Sequence, residues 1–445
     1  MKDIENILNT DSIEKLQVCY NDYSGRLCGK IVPKHKFHSA IKNGIVFAKA
    51  NLSFGLDDHF ADNAKFLANT GDFLATPDPD SYTILPHRIK TARVNSYMLD
   101  NDKSEWEGCP RTRLNKIVKK FSSKGIKIKI SFEPEFSLYK KNVNNDDYSP
   151  ISNDGMFTIS GLDRFHGFWE SFDKIFSRSQ IKIEQLGKEY GPGQYEATWM
   201  YDNPIKSVDN YINYKDFIIS LARDNEYLAT FMPKPFAHLP GNGLHLHISL
   251  WDQNEKKEIS CKENDNDPLS DIGKNFVAGL LKNAHSLTSL GCASVNSYKR
   301  ILPGSWSPAH ICWGIENRSV LVRIPGKGER KHIELRHGDN IINPHIYLTG
   351  VLAAGFEGID KALNVQDPVD IDAGQISDNK IDNNTIEILP RNLTEALSFL
   401  KKNQIIREAL GDIIFEEFIK IKETEIRQYE QHVHPWERSR YMENF

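Results

Sequence analysis

The chain has 445 residues, 39% of them hydrophobic and 26% charged, with 56 Lys plus Arg against 60 Asp plus Glu. Such a chain buries a large core, which excludes wholesale disorder and allows two or three domains, or one large domain with a smaller partner. The net charge of −4 gives no footprint for nucleic acid or anionic lipid, and no stretch reaches the ~18–20 apolar residues of a membrane span.

The first residues, Met1 to Leu16, are charged and lack the apolar core of a secretory signal. The six cysteines (Cys19, Cys28, Cys109, Cys261, Cys292, Cys312) form no CxxC pair. This argues against a zinc site or a disulfide framework and fits a cytoplasmic location.

Up to about Glu107, short apolar runs alternate with turn residues. Ile45–Ala48 reads as a strand and Thr76–Asp80, with two prolines, as a rigid turn. Pro110 opens a helical pattern through Lys120, which places a domain boundary there, giving 1–107 and 108–445. Beyond it, Ile126–Leu138 reads as a strand, Asp163–Phe176 and Ser207–Leu228 as helices, Leu244–Trp251 as a strand and Gly273–Leu290 as a helix. Val320–Arg336 contains strands, and Asn392–Tyr441 is mostly helical. Polar loops are expected at Lys140–Gly155, Asp252–Asp271 and Val365–Asn384. The alternation predicts an α+β catalytic domain.

The strand patterns carry chemistry. In 126–138, Ile126, Ile128, Ile130, Phe132 and Phe136 share one face, and Glu133 and Glu135 the other. In Glu189-Tyr-Gly-Pro-Gly-Gln-Tyr-Glu196, Pro192-Gly193 suits a type II turn, so a regular hairpin would set Glu189 opposite Glu196. Like charges directly opposite are destabilising unless a cation lies between them. In 241–250, Leu244, Leu246, Ile248 and Leu250 face a core, while Gly243, His245, His247 and Ser249 face away. The same alternation groups His332, Glu334 and Arg336. Five glutamates with one or two histidines suit Mg²⁺ or Mn²⁺ better than zinc. Arg300, Arg318, Arg323 and Arg336 supply forks for phosphate or carboxylate. No GxxxxGK[ST] loop or GxGxxG turn is present, so neither a P-loop nor a Rossmann site accounts for these groups.

In this order the motifs resemble the glutamine synthetase family. They are Phe132-Glu-Pro-Glu-Phe136, 189–196, Thr230-Phe-Met-Pro-Lys-Pro235, 241–251, Asn296-Ser-Tyr-Lys-Arg300, Glu316-Asn-Arg-Ser319, Val322-Arg-Ile-Pro325 and Ile333-Glu-Leu-Arg336. The resemblance implies an N-terminal β-grasp domain, a catalytic domain whose curved antiparallel sheet forms a funnel, and a ring-shaped homo-oligomer, usually a dodecamer, with active sites between subunits. It implies ATP as co-substrate and two divalent ions per site, one held by Glu135, Glu189 and Glu196 and the other by Glu133, His245 and Glu334. His247, Ser249, Arg318 and Arg323 fall where the family binds ATP. Arg300 and Arg336 fall where it grips glutamate and its phosphorylated side chain, and Gly241 at the glutamate site. Arg323 would also stabilise the transferring phosphoryl group.

The sequence departs from the ammonia-using pattern in several places. Ala48 stands where those members carry an Asp, and Trp306, in Pro303-Gly-Ser-Trp-Ser-Pro308, where they carry a flap Glu. Both lost groups attract ammonium and accept its proton, whereas tryptophan offers an apolar and cation–π surface. The expectation is therefore a γ-glutamylamide synthetase using an organic amine. The alternatives are a glutamine synthetase using ammonia and an inactive structural or regulatory member. Pro240 replaces an Asn beside Gly241, and His332 an Arg near the phosphates. Ile386 replaces the tyrosine that some bacterial members modify with AMP.

Overall fold

The computed structural model describes residues 4–142, 147–302, 304, 307–376, 380–381 and 384–445. After helix α1 (Ile4–Thr10), the N-terminal unit contains β1 (Lys15–Asn21), β2 (Leu27–Pro33), α2 (Phe37–Asn43), β3 (Ile45–Ala48), β4 (Asp72–Pro77), β5 (Thr83–Ile84) and β6 (Thr91–Leu99). These strands form one mixed sheet in the order β2-β1-β6-β4-β3, with β5 on β6; β1 and β6 run parallel. Leu16, Val18 and Tyr20 of β1 bury one face with Val94 and Phe73.

Helix α3 (Pro110–Ser123) leads into β7 (Ile126–Lys141), the spine of a nine-stranded sheet. The elements that follow are β8 (Tyr148–Pro150), α4 (Ile159–Asp163), α5 (His166–Phe176), β9 (Ile183–Lys188), β10 (Gln194–Trp199), α6 (Pro204–Asp224), β11 (Leu228–Thr230), β12 (Leu244–Asp252), α7 (Asp271–Lys282), α8 (Ala284–Gly291), β13 (Trp313–Ile315), β14 (Val322–Ile324), β15 (Ile333–Leu335) and α9 (Pro344–Asp360). The sheet order is β13-β14-β15-β12-β7-β10-β9, with β8 and β11 also on β7; β13 runs parallel to β14, so the sheet expected to be antiparallel is mixed at that edge. Ile128, Ile130, Phe132, Phe136, Leu244, Leu246, Ile248 and Leu250 are all buried. The apolar face read from the sequence is the core face.

Three further expectations need correction. The stretches 163–176 and 273–290 are each interrupted: α5 starts at His166 after α4 has ended, and α7 stops at Asn283 before α8 begins. Asn283 Nδ2 donates to the carbonyl of Gly279 (3.0 Å) and to Glu357 (2.8 Å), a side-chain bond that competes with the helical backbone. The third concerns the hairpin between β9 and β10. The expected type II turn is present, with Gln194 N–H donating to Gly191 O (3.0 Å) and Gly193 at φ +63°. However, Glu189 N–H bonds Gln194 O (2.9 Å), and the ladder pairs Lys188 with Tyr195 and Gly187 with Glu196. Tyr190, 58% exposed, and Gly191 are the two extra residues before the turn, and they shift the register by two. Glu196 thus faces Gly187 across the β9 ladder, which keeps Glu189 from lying directly opposite it.

The two sheets are locked together. Arg111 of α3 donates in bidentate fashion to Asp209 of α6 (2.6 and 2.9 Å) and to Asp78 after β4 (2.6 Å). Asn95 of β6 also reaches Asp209 (2.6 Å). At the far end of the chain, α10 (Leu393–Leu400) precedes α11 (Gln404–Gln431) and α12 (Pro435–Tyr441). Glu417 of α11 accepts from Ser53 Oγ and from Lys65 N–H (3.0 Å). Gly411 breaks α11 at φ +74°; a Cβ there would lie 2.0 Å from Arg113 Nη2.

Candidate active site

Strand register assembles the polar face. Across β7 and β10, Glu135 pairs with Glu196. Across β7 and β12, Glu133 pairs with His245 and Ser131 with His247. His247 in turn pairs with Glu334 of β15, and Glu334 with Arg323 of β14. Side chains directly opposite on one face have Cβ atoms about 5 Å apart, so this register alone gathers groups from five strands.

Each carboxylate here is answered in a different way. Glu133 accepts from His245 Nδ1 (3.1 Å) and His247 Nε2 (2.9 Å). Burial raises its pKa, but the two imidazole hydrogen bonds outweigh this and hold it well below the ordinary range. Glu334, only 1% exposed, contacts Arg336 Nη1 and accepts from Arg323 Nη1 (3.1 Å). Burial opposes ionisation there too, yet Arg336 first and then His245 and His247 bring it down to about 2. Glu196 has no such relief. Burial, then the negative charges of Glu133, Glu189 and Glu135, push it up to about 11, and Glu189 is raised by burial and Glu135.

A histidine chain closes one side. His332 Nδ1–H donates to Arg330 O (2.8 Å), so its Nε2 accepts from His247 Nδ1 (2.8 Å). That leaves both nitrogens of His247 as donors, matching its raised pKa: the Glu133 bond overcomes the burial that would lower it. Burial, then the neighbouring His247, depress His332 to about 4.

Among the described residues, no three His, Cys, Asp or Glu side chains converge as a ready metal cage. The donor chemistry nevertheless fits a hard divalent cation. Burial and then the charges of Glu133, Glu189 and Glu135 force Glu196 toward its protonated form, and a cation among these carboxylates would oppose that force.

Glu133, His247 and His332 face a cavity of about 1150 Å³, also walled by Ser249, Trp199, Tyr201 and Trp251, with Lys129, Lys256 and Lys331 among the basic groups around it; Glu135, Glu189, Glu196, His245 and Glu334 are not on this wall. Ser249 Oγ accepts from Trp251 Nε1 (2.8 Å). Of the residues expected at ATP, His247 and Ser249 line this cavity. Arg318 is exposed, and neither it nor Arg323 is on the wall.

Arg300 and Gly241 come together beside Glu135. Arg300 donates from Nη1 to Ser307 Oγ (2.6 Å) and from Nη2 to His337 O (2.7 Å). A Cβ on Gly241 would lie 2.2 Å from Pro233 O and 2.9 Å from Arg300 Cγ, so only glycine allows this approach. Ala48 ends β3 on the N-terminal sheet, opposite Asp72 of β4, and is not on the cavity wall. Trp306 lies outside the described residues, as do Pro303 and Ser305. Ile386 is buried against Cys312 and Val369.

Sequence reasoning overlooked Gln194, Asn340 and Glu316. Gln194 hydrogen-bonds Glu135 (3.0 Å), Asn340 Nδ2 clamps the carbonyls of Glu135 (3.1 Å) and Gly243 (2.9 Å), and Glu316 accepts from Arg323 (2.7 Å). Gln194 and Glu316 sit inside quoted motifs, but only the fold gives their side chains partners.

The family model of the glutamine synthetase catalytic domain matches residues 107–441. The glutamine synthetase of Thermococcus kodakarensis is 34% identical over 417 residues, covering 93% of this chain and 89% of its own. That of Pyrococcus abyssi is 34% identical over 425 residues, covering 94% and 92%. Among solved structures, the GmaS/ADP complex in its first conformation superposes with a TM-score of 0.88 at 27% identity, covering 100% of both chains. GmaS without ligand gives 0.87, also at 27%.

Proposed function

Because the chain belongs to the glutamine synthetase family of ATP-dependent ligases, we propose that it joins the γ-carboxylate of L-glutamate to an organic amine through a γ-glutamyl phosphate. The observation that carries this reading is the strand-register cluster of Glu133, Glu135, Glu196, His245 and Glu334, whose member Glu133 lines the same cavity as His247 and Ser249. The likeness to GmaS over the whole chain supports the γ-glutamylamide branch.

A carboxylate resists nucleophiles because of its charge. Attack of its oxygen on the γ-phosphorus of ATP breaks the bond to ADP and leaves an acyl phosphate. The amine nitrogen then attacks the acyl carbon, loses a proton and expels phosphate. On this reading Glu135, Glu189 and Glu196 would hold one divalent ion and Glu133, His245 and Glu334 the other. Mg²⁺ or Mn²⁺ supplies positive charge against the transferring phosphoryl group. Arg300 and Arg336 receive the acid, with Gly241 leaving it room, and Arg323 adds a guanidinium at the same cluster as Arg336. His247 and Ser249 meet the nucleotide in the cavity, and Arg318 joins it from the exposed segment after β13. Ala48 and Trp306 leave no carboxylate to draw in ammonium, which favours a larger amine. We further propose that residues 1–107 are a β-grasp domain, with the mixed six-stranded sheet in its support. Residues 108–445 would be the catalytic domain, and the chain would assemble as a dodecamer with active sites between subunits.

A second reading, glutamine synthesis from ammonia, is favoured by the archaeal relatives, which carry that name. ADP formation with glutamate, Mg²⁺ and a panel of alkyl, aryl and polyamine substrates separates the two. The amide reading expects a higher kcat/KM for at least one organic amine than for ammonium. Preference for ammonium over every amine tried overturns it in favour of the second. Among the described residues no helix is long and apolar enough to cross a membrane.

A further inference from the structure

Gln194 is 3% exposed and sits at the first position of β10, where the turn after Glu189 closes. Its orientation is fixed by its partners. Oε1 accepts the N–H of Gly191 (2.8 Å), so Nε2 must be the donor toward the three acceptors around it. These are Glu135 Oε2 (3.0 Å), the carbonyl of Gly241 (3.0 Å) and, more weakly, Asn242 Oδ1 (3.3 Å). An amide nitrogen has two hydrogens, so the short bonds to Glu135 and Gly241 use its full donor capacity.

Both ends of this bridge matter. Glu135 Oε2 also accepts the N–H of Gly243 (2.7 Å), so two donors saturate one oxygen and the carboxylate's remaining capacity lies on Oε1. Gly241, at the other end, is packed against Arg300, with no room for even a Cβ. One buried side chain therefore ties a carboxylate of the acidic cluster to the loop that meets the acid's arginine.

We propose that Gln194 is a positioning residue that couples binding of the divalent cation at Glu135 to binding of the amino-acid substrate at Gly241 and Arg300. The inference rests on the functional reading above, which supplies the roles of those two ends. Ordering the Gly241 loop by the acid fixes the Gln194 amide, and that amide holds Glu135 in the orientation a cation needs. By linkage the effect is reciprocal: the factor by which glutamate tightens the ion equals the factor by which the ion tightens glutamate.

The test uses the full-length protein without nucleotide. Free Mn²⁺ is read by electron paramagnetic resonance with and without saturating L-glutamate, and glutamate binding is read by calorimetry with and without Mn²⁺. In the unmodified protein each ligand tightens the other by the same factor, about fivefold or more. Gln194→Met, which keeps the volume, brings both factors to about one and weakens Mn²⁺ alone by about tenfold, the effect expected when a partner orienting a ligand is lost. Gln194→Glu retains an acceptor for Gly191 N–H but loses the donor to Glu135, so it also abolishes the coupling with that turn intact. A purely structural glutamine would leave the coupling factors unchanged in any variant that folds. Coupling that persists in either folded variant, or its absence from the unmodified protein, overturns the proposal. Glu135→Gln separates the two levels. If it leaves Mn²⁺ binding unchanged, the metal reading itself fails. If it loses Mn²⁺ while Gln194→Met keeps full coupling, only the role of Gln194 falls.

Discussion

The clamp between the two sheets gives a prediction whose size follows from burial. Arg111 and Asp209 are 2% and 1% exposed, and Arg111 spends both terminal nitrogens on Asp209 and Asp78. Asp209→Ala leaves the guanidinium with Asp78 alone, strands Asn95 Nδ2 and opens a small void. Breaking a buried pair from one side costs about 3–5 kcal/mol, because a desolvated charge loses its partner. A 445-residue chain unfolds with an entropy near 0.9 kcal/mol/K, so the melting temperature falls by about 3–5 °C. Arg111→Met in the same background removes the stranded cation, and the double variant recovers part of the loss, with a coupling energy of about 2 kcal/mol or more. Differential scanning calorimetry of the four proteins at one concentration checks this. A shift under 1 °C for Asp209→Ala, or strictly additive single variants, refutes the argument that this network carries the docking of the N-terminal sheet.

Three further predictions concern the site and its support. On the proposed function, Glu135→Ala lowers amine-dependent ADP formation by about 10³-fold while far-UV circular dichroism is unchanged; retained turnover removes Glu135 from the proposed cation site. Gly241→Ala places a Cβ 2.2 Å from Pro233 O, so KM for the acid should rise about tenfold or more with KM for ATP within twofold, measured by initial rates. An unchanged KM for the acid would show that the loop has room. Glu357 accepts from Lys282 (2.6 Å), Lys361 (2.8 Å) and Asn283 (2.8 Å). Burial would raise its pKa, but these bonds bring it from 4.5 to about 2. The folded pKa lies below the unfolded one, so the stabilisation is complete above about pH 4.5 and is lost as pH falls toward 2. The lysines are half exposed, which reduces the contribution to about 1–2 kcal/mol at pH 7. Urea unfolding of Glu357→Gln should show that deficit at pH 7 and a smaller one at pH 3.5, and an equal deficit at both would exclude the linkage.

The alternation of 126–138, 241–250 and 332–336 was enough to separate core from site. A strand has a period of two, so once Ile130, Phe132, Leu246 and Ile333 are buried, Glu133, His245, His247 and Glu334 emerge on one face whatever surrounds them. The ordered motifs identified the family for the same reason: local side-chain order survives without knowledge of packing. Strand order and register were decided by the tertiary structure, because they depend on bonds between segments far apart in the chain. The two extra residues Tyr190 and Gly191 put Gly187 opposite Glu196, and neither Pro192-Gly193 nor the flanking residues announce this. The side chain of Asn283 cut a helix that periodicity reads as continuous. Ionisation lies even further from the sequence. Glu133 and Glu196 are the same residue type on adjacent strands, yet two imidazole hydrogen bonds hold one far down against its burial, while burial and then three carboxylates drive the other to about 11. Which charge meets which partner is a property of distances across five strands, and only folding sets those distances.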